Sequence, residues 1–430
     1  MLKSKLVLST VAALIASNPV WATNGLFSEG FGANSGAMAG GGAALGLDTM
    51  VAATNPAGLV NIGKRSDIGL VYFSPRREYT VSGAFSPTFP PFPGDTVESG
   101  SESFFIPNFG WNRPIDDQSA FAITVYGNGG MNTDYSAFDT ILPTPAGPRP
   151  VGTFGGGDAG VDYNQLFFNL SYARRVAESV SLGVGGIVNY SWFNMKGISG
   201  FAPFSVDSAN LSNNGKDDDF GLGGIVSAQA DLGDQFSASL SYQSKISNTF
   251  DKYAGLFPGG GELDIPARVN LGFAYKAKSG SAVTFDIEQI YYEDVDAIGN
   301  SSSNLFACAG GDPSQCLGGS NGAGFGWNDM TVYKLGFQWK SSNDMTWRFG
   351  VSHGDQPIDP QDVTLNILAP GVIEDHITAG FSRVLDGGRE FSLALMYAPE
   401  ECVSGPSQFV PGQSVEICMH QLALKGQYSW

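Results

Sequence analysis

Apolar and polar residues alternate along much of the chain, most regularly in its last ten residues, QLALKGQYSW. In an extended strand, such alternation places the two sets of side chains on opposite faces. The apolar face here would carry Leu422, Leu424, Gly426, Tyr428 and Trp430. The same pattern recurs upstream, at 181–192, 236–243, 268–276 and 391–397. The chain is therefore predicted to consist of amphipathic β-strands.

Strand-like segments continue from residue 65 to the end of the chain. Fourteen can be delimited, at 66–85, 103–115, 119–136, 160–176, 180–198, 218–233, 235–255, 262–279, 281–298, 330–342, 345–358, 372–386, 389–400 and 416–430. Short polar turns such as 114–118 alternate with long connectors such as 299–329. Short turns at one end and long loops at the other are typical of outer-membrane barrels. We predict an all-β fold, a 14-stranded antiparallel transmembrane β-barrel over residues 65–430.

The amino-acid composition agrees with a barrel and restricts the kinds of partner that the protein can bind. Charged residues make up 15% of the chain, aromatic residues 12%, and glycine contributes 58 residues, whereas soluble domains average about 25% charged residues. The net charge of −18 argues against nucleic acid as a partner. The acidic residues are expected to keep loops solvated, or to bind divalent cations between lipopolysaccharide phosphates in the outer membrane.

The N-terminus has the features of a secretory signal peptide over residues 1–22. Lys3 and Lys5 form a basic region, an apolar run follows, and Val20-Trp21-Ala22 suits a cleavage site. The mature chain would then begin at residue 23 and be exported to the bacterial outer membrane. The alternative for this segment is a buried N-terminal helix.

Residues 23–64 are rich in small residues and broken by turns, including Asn55-Pro56-Ala57-Gly58. Proline lacks an N–H and disfavours a helical conformation at the residue before it, so neither a long helix nor a central strand can cross this segment. A barrel of fourteen strands has a lumen wider than side chains alone fill. We therefore expect residues 23–64 to form a plug, or hatch, in the lumen.

This N-terminal block resembles the FadL family of outer-membrane transporters for long-chain fatty acids and aromatic hydrocarbons. The matching residues are Gly36, Gly41, Ala44, Asp48 and the motif Asn55-Pro56-Ala57. The resemblance implies a monomeric, energy-independent channel that releases hydrophobic ligands sideways into the membrane. It also implies gating residues at Asp48, Asn55, Pro56 and Ala57.

In that family the lateral exit lies at an inward kink of the third strand. The matching strand here reads SAFAITVYGNGGMNTDY, in which Gly127, Gly129 and Gly130 interrupt the alternation. Glycine inside a strand often marks a bulge or a bend. The alternative is a glycine-rich turn that ends the strand. The aromatic Trp430 at the chain end is expected to be read by the barrel assembly machinery.

A fatty-acid carboxylate would require a cation facing the lumen. Alternation places Arg268 and Lys334 on that face, together with Lys276 and Arg348, and Lys196 lies at the outer end of the fifth strand. These bases match the family pattern only in part, and each could instead be a solvated lumenal charge.

The four cysteines of an exported chain are expected to pair. Of three possible connectivities, Cys308–Cys316 and Cys402–Cys418 are favoured because each pair brackets one long loop. No metal site is expected, since there is no CxxC spacing and the three histidines are scattered. No cofactor is expected either.

The main alternatives differ in substrate or in class. An importer of aromatic or alkane hydrocarbons would need no cation at its pocket. A lipid hydrolase would need a nucleophile and a base on one face, but His353 directly follows Ser352, which places the two side chains on opposite faces of a strand. A structural or adhesin barrel would have no use for an apolar plug. We therefore predict a channel for hydrophobic molecules, foremost long-chain fatty acids, and no enzyme.

Overall fold

The computed structural model describes residues 24–84, 94, 96–137, 141–144, 147–150, 152–342 and 344–430. The predicted signal peptide lies outside these residues. Long strands in the described ranges are β1 (Arg65–Gly83), β2 (Phe104–Pro114), β3 (Ser119–Tyr135), β4 (Ala159–Ala177), β5 (Val180–Lys196), β6 (Asp217–Asp231), β7 (Phe236–Gln243), β8 (Arg268–Lys276), β9 (Ala282–Ile290), β10 (Met330–Lys340), β11 (Met345–Gly354), β12 (Asp375–Leu385), β13 (Arg389–Pro406) and β14 (Gln413–Ser429).

Each strand pairs in antiparallel fashion with the next, and the last pairs with the first. The closing pairs of β1 and β14 run from Asp67↔Ser429 to Gly83↔Gln413. The result is a closed 14-stranded antiparallel β-barrel, as the alternation predicted. No helix in the described residues is long and apolar enough to cross a membrane.

Inward and outward side chains differ in the way that the sequence pattern requires. Leu70, Leu240 and Leu335 are among many apolar side chains exposed on the outer face. The lumenal face instead carries buried polar residues such as Gln229 and Gln427. A lipid-facing apolar band around a polar interior is the arrangement of outer-membrane barrels.

The observed strand bounds differ most from the predicted ones at four strands, of which three are much shorter and one is longer. The seventh segment, predicted at 235–255, ends as a strand at Gln243. The eighth and ninth likewise shrink to Arg268–Lys276 and Ala282–Ile290. The loops after these strands also contain buried apolar residues every few positions, such as Ile246 and Phe250. The alternation in the sequence therefore continues past the ends of the strands.

The penultimate strand is longer than predicted. Its polar run EECVSGP still pairs with β14, up to Pro406↔Ser414, after a register shift between Ala398 and Glu401. The sequence EECVSGP carries no clean period of two, so its ladder depends on the neighbouring strand and not on its own pattern.

The hatch (residues 24–64) lies inside the barrel and is almost entirely buried. It contains one short α-helix (Gly32–Gly36) and two 3₁₀ turns (Thr49–Ala53 and Pro56–Asn61). Proline occupies the first position of the last turn, where its missing N–H costs no hydrogen bond. The segment packs on the lumenal wall and fills the space that the barrel leaves open.

Candidate functional site

The Asn55-Pro56-Ala57 turn is held by the barrel wall. The Asn55 side-chain amide donates to Ala43 O at 2.9 Å and to Gln229 Oε1 of β6 at 2.8 Å. The Ala57 N–H donates to Ser227 Oγ, also of β6, at 2.8 Å. Asn55 therefore joins two parts of the hatch to the wall, a role that goes beyond the local turn expected from sequence.

Strand β5 supports the same turn from another side. Ser181 donates its hydroxyl to Ala57 O at 3.0 Å. Gly183 is so close to the turn that a Cβ on it would lie 2.2 Å from Ala57 N. Glycine is required here by the close approach of two backbones.

Asp48 links the hatch to the last strand. Its carboxylate accepts hydrogen bonds from Asn34 Nδ2 at 3.0 Å, Met50 N at 2.9 Å and Gln427 Nε2 at 3.0 Å. The bond from Met50 caps the 3₁₀ turn that follows. Asp48 is therefore a structural clamp between β14 and the hatch.

Two of the predicted carboxylate-binding bases already have an acidic partner. Arg268 and Lys334 both form ion pairs with Glu288, at 3.0 and 2.7 Å, and all three side chains are at most 5% exposed. Both cations also donate to hatch carbonyls, Arg268 to Ala53 O at 2.8 Å and Lys334 to Glu29 O at 3.2 Å. This geometry assigns them to holding the hatch.

Lys196, the third predicted base, lies away from that cluster. Its Nζ contacts Asp134 Oδ1 at 2.6 Å, and its side chain is 36% exposed. It thus lies at the outer end of β5, as expected, but it too has a carboxylate partner.

The third strand is kinked at the predicted glycines. A β-bulge between Gly127 and Gly129 leaves Asn128 without a backbone pairing partner on β4, although its side-chain Nδ2 donates to Gln165 Oε1 at 2.7 Å. At this point β3 contacts the hatch, since Gly130 N donates to Leu26 O at 3.1 Å and Ser28 N donates to Asn128 O at 2.9 Å. The bulge thus draws the strand inward onto the plug.

At this inward bend the backbone pairing of β2 and β3 is interrupted. Backbone pairing between the two strands stops at Phe109 and Val125. Contact resumes farther out, where the Gly100 N–H donates to Asp134 O at 2.7 Å. The intervening stretches, both described in the structure, form what we call the lateral window, defined by residues 101–108 and 126–133.

Aromatic side chains lie on both sides of the lateral window. Phe105 is 49% exposed on the outer face. Behind the opening, the buried Tyr126 ring packs against Phe31 of the hatch, with ring centroids 4.7 Å apart. The window therefore connects a hydrophobic outer surface with an aromatic contact at the plug.

An apolar cavity lies in the outer part of the molecule. All of its lining residues are uncharged and apolar, and they come from β5 and from several long loops: Met195, Ile198, Phe201, Leu256, Phe257, Ala297, Leu317, Ala323, Gly324, Phe325, Leu365 and Leu368. We call it the outer cavity. Phe201, Phe257 and Phe325 contribute the aromatic rings of its lining.

The start of the hatch is fixed by a tyrosine in the loop after β9. The Tyr292 hydroxyl donates to Asn24 O at 2.5 Å and accepts from Leu26 N at 2.8 Å. Burial raises the pKa of Tyr292 above its usual range, so the phenol keeps the proton that it donates.

Both predicted disulfides are formed, Cys308–Cys316 in a long loop and Cys402–Cys418 across β13 and β14.

Comparison with known proteins assigns this architecture to a family. The model of the family described as outer membrane protein transport protein (OMPP1/FadL/TodX) matches residues 12–372. The chain belongs to the OMPP1/FadL/TodX family. Members of this family are outer-membrane channels for hydrophobic compounds and not enzymes, which confirms both the resemblance and the predicted location.

Solved structures show how far the OMPP1/FadL/TodX fold is shared. The Pseudomonas putida toluene transporter TodX is 19% identical over 95% of this chain and 99% of its own, with a TM-score of 0.64. A Pseudomonas aeruginosa FadL homologue is 14% identical over 94% and 99%, with a TM-score of 0.67. The Ralstonia pickettii toluene transporter TbuX is 16% identical over 93% and 98%, with a TM-score of 0.63. Among curated proteins, none matches this chain.

Proposed function

We propose that this protein imports long-chain fatty acids by lateral diffusion through the outer membrane. The outer cavity has a volume of about 30 Å³, so the loops that line it must move apart to admit the ligand. The ligand then passes along the kinked β3 beside the hatch and leaves through the lateral window into the acyl chains. The observation that carries this proposal is the interrupted pairing of β2 and β3 directly beside the contact between Gly130 and Leu26.

The chemistry of the route favours a hydrophobic cargo. Each methylene that leaves water contributes roughly 0.8 kcal/mol, so a long acyl chain can bind an apolar cavity without specific contacts. The lateral window then delivers it to the membrane interior without crossing a water-filled pore. Because such binding is tight, release requires the hatch to move.

Monoaromatic hydrocarbons are a second candidate cargo. The outer cavity has no charged lining residue, and the bases Arg268, Lys334 and Lys196 each form an ion pair with an acid. A neutral ligand needs no free cation, and two of the similar structures are toluene transporters.

Deletion of Asn128 tests lateral exit directly. Gly127 pairs with Leu166 and Gly129 with Gln165, so losing the bulge residue leaves a continuous β3–β4 ladder and lets β3 run straight. In a strain lacking the chromosomal gene, the wild type should restore uptake of radiolabelled oleate or toluene, and the deletion variant should not.

Heat-modifiable migration on gels verifies that both barrels are folded. Full uptake by a folded deletion variant would refute the window as the exit. If the wild type restores toluene uptake alone, the fatty-acid proposal is refuted in favour of the hydrocarbon.

A further inference from the structure

Arg77 is a buried base that sequence reasoning did not single out. It lies in β1 on the face that points into the barrel and is 3% exposed. Its Nη1 donates to Ser101 O at 3.0 Å, at the upper edge of the lateral window. Its Nη2 has no hydrogen-bond partner among the described residues.

Comparison with the other buried bases of the lumen shows why Arg77 is unusual. Arg268 and Lys334 are paired with Glu288, and Lys425 is paired with Glu29. Arg348 also forms no ion pair among the described residues, but its guanidinium donates to Gln338 Oε1 and Ser382 Oγ, and it has no buried nitrogen without a partner. Within the described residues, no carboxylate lies at ion-pair distance from Arg77. A buried cation without an anion is costly, and a ligand that brings the anion would remove this cost.

A second unpartnered polar group lies at the same level. The Tyr135 hydroxyl is buried and has no hydrogen-bond partner in the described structure. Its ring packs edge-on against Tyr79, with centroids 5.1 Å apart, and Tyr79 follows Arg77 on the same inward face of β1.

Hydrogen bonds through Ser99 link the strand segments that carry Arg77 and Tyr135 at the outer end of the lateral window. Ser99 N donates to the Arg77 carbonyl at 2.8 Å, and the Ser99 hydroxyl accepts from Asp134 N at 2.9 Å. One serine therefore connects the strand that carries Arg77 with the residue that precedes Tyr135.

The outer face of β1 shows the depth of this site in the membrane. Ile68 and Leu70 are exposed and apolar, whereas Arg76 and Glu78 farther along the same face are charged. Arg76 forms an ion pair with Glu102. Arg77 therefore lies where the outer surface changes from apolar to charged, the level of lipid headgroups.

We propose that Arg77 and Tyr135 form a head-group site that binds the carboxylate of an amphiphilic substrate while its tail passes through the lateral window. The guanidinium supplies a planar fork that suits a carboxylate, and the phenol supplies a further donor. The site would keep the head at the level of the lipid headgroups as the tail enters the acyl region. This inference rests on the lateral uptake proposed above.

Paired substrates test the site. Uptake of radiolabelled oleate and of hexadecane, a neutral chain without a head, is measured in the deletion strain carrying Arg77→Met, Tyr135→Phe or the outward-facing control Arg76→Met. Loss of a hydrogen bond to a charged group weakens binding roughly tenfold or more. Arg77→Met should therefore lower oleate uptake about tenfold and leave hexadecane uptake unchanged.

The companion variants separate binding from folding. Tyr135→Phe removes a single oxygen and should lower oleate uptake alone, by less than Arg77→Met does. Arg76→Met should change neither substrate. Heat-modifiable migration verifies that each barrel is folded.

Several results would overturn the site. An equal loss for both substrates would assign Arg77 to structure or to a membrane lipid phosphate, and unchanged oleate uptake in both variants would remove it from the path. A wild type that imports hexadecane but not oleate would overturn the head-group site and leave the channel standing. A wild type that imports neither would also overturn the head-group site, and lateral uptake itself would be refuted only if toluene were not imported either.

Discussion

Gly183→Ala tests the docking of the hatch without altering a hatch residue. The new Cβ would lie 2.2 Å from Ala57 N and 2.5 Å from Pro56 C, whereas uncrowded heavy atoms stay roughly 3.5 Å apart. The Asn55-Pro56-Ala57 turn must therefore move away from β5 by roughly 1 Å.

That displacement has a calculable effect on docking. It breaks or stretches the bonds from Ala57 N to Ser227 Oγ and from Ser181 Oγ to Ala57 O, now 2.8 and 3.0 Å long. A net contribution near 1 kcal/mol for each bond gives a loss of about 2 kcal/mol. The docked state of the turn should then be disfavoured about 30-fold.

Hydrogen exchange of the purified protein measures this change. The Ala57 amide should exchange about 30-fold faster in Gly183→Ala, while amides in the barrel strands keep their rates. Gly186→Ala on the same strand is the matched control, because a Cβ there meets nothing within 4 Å. Equal exchange at Ala57 in both variants would refute the reasoning, since the clash would then be absorbed by the wall.

Two further substitutions probe how the hatch is held. Asn55→Ala removes the donor to Ala43 O and Gln229 Oε1 and should impair uptake while the barrel still assembles, as measured by oleate uptake and heat-modifiable migration. Glu288→Gln removes the carboxylate that forms ion pairs with both Arg268 and Lys334 and should destabilise the folded protein by roughly 3–5 kcal/mol, as measured by denaturant unfolding.

Each of these substitutions has a matched control. Lys64→Ala replaces an exposed residue at the end of the hatch, and Glu178→Gln replaces an exposed glutamate of the turn after β4. If Asn55→Ala lowered the amount of folded protein in the membrane, the motif would be structural and not a gate. If Glu288→Gln unfolded at the same denaturant concentration as Glu178→Gln, the ion-pair cluster would carry no stability.

The barrel could be predicted from sequence because its physics is local and repeated. Each strand has one face in lipid and one in the lumen, so apolar and polar residues alternate with a period of two in every strand segment. The pattern fails where burial arises from loops. Ile246 and Phe250 follow β7 with similar spacing but pack into the outer part of the molecule, so the strand was predicted too long.

The site could be predicted only in part, because its contacts join residues that are far apart in the chain. Alternation placed Arg268 and Lys334 in the lumen, but not their shared partner Glu288. That partner was accessible in principle, since Thr284, Asp286 and Glu288 alternate on one face. The sequence pattern does not determine the strand register. In the structure the register brings Asp286 opposite Lys334.

Arg77 shows a different limit of sequence reasoning. In the sequence it is one of two adjacent arginines, and only the phase of β1 makes Arg76 outward and Arg77 inward. Its lack of an acidic partner depends on every neighbouring strand. No local signal distinguishes it from an ordinary surface base.

The anchoring of the hatch to the last strand constrains the order of assembly. Gln427 accepts a hydrogen bond from Ala33 N across a separation of 394 residues, and Lys425 donates to Gly30 O. The N-terminal segment leaves the ribosome first, but its contacts with β14 cannot form until the final strand is made. Contacts of such long range form slowly, so the open sheet must be held around an incompletely docked plug until β14 closes it. Assembly of this channel therefore requires the barrel to close around the plug as well as each strand to fold.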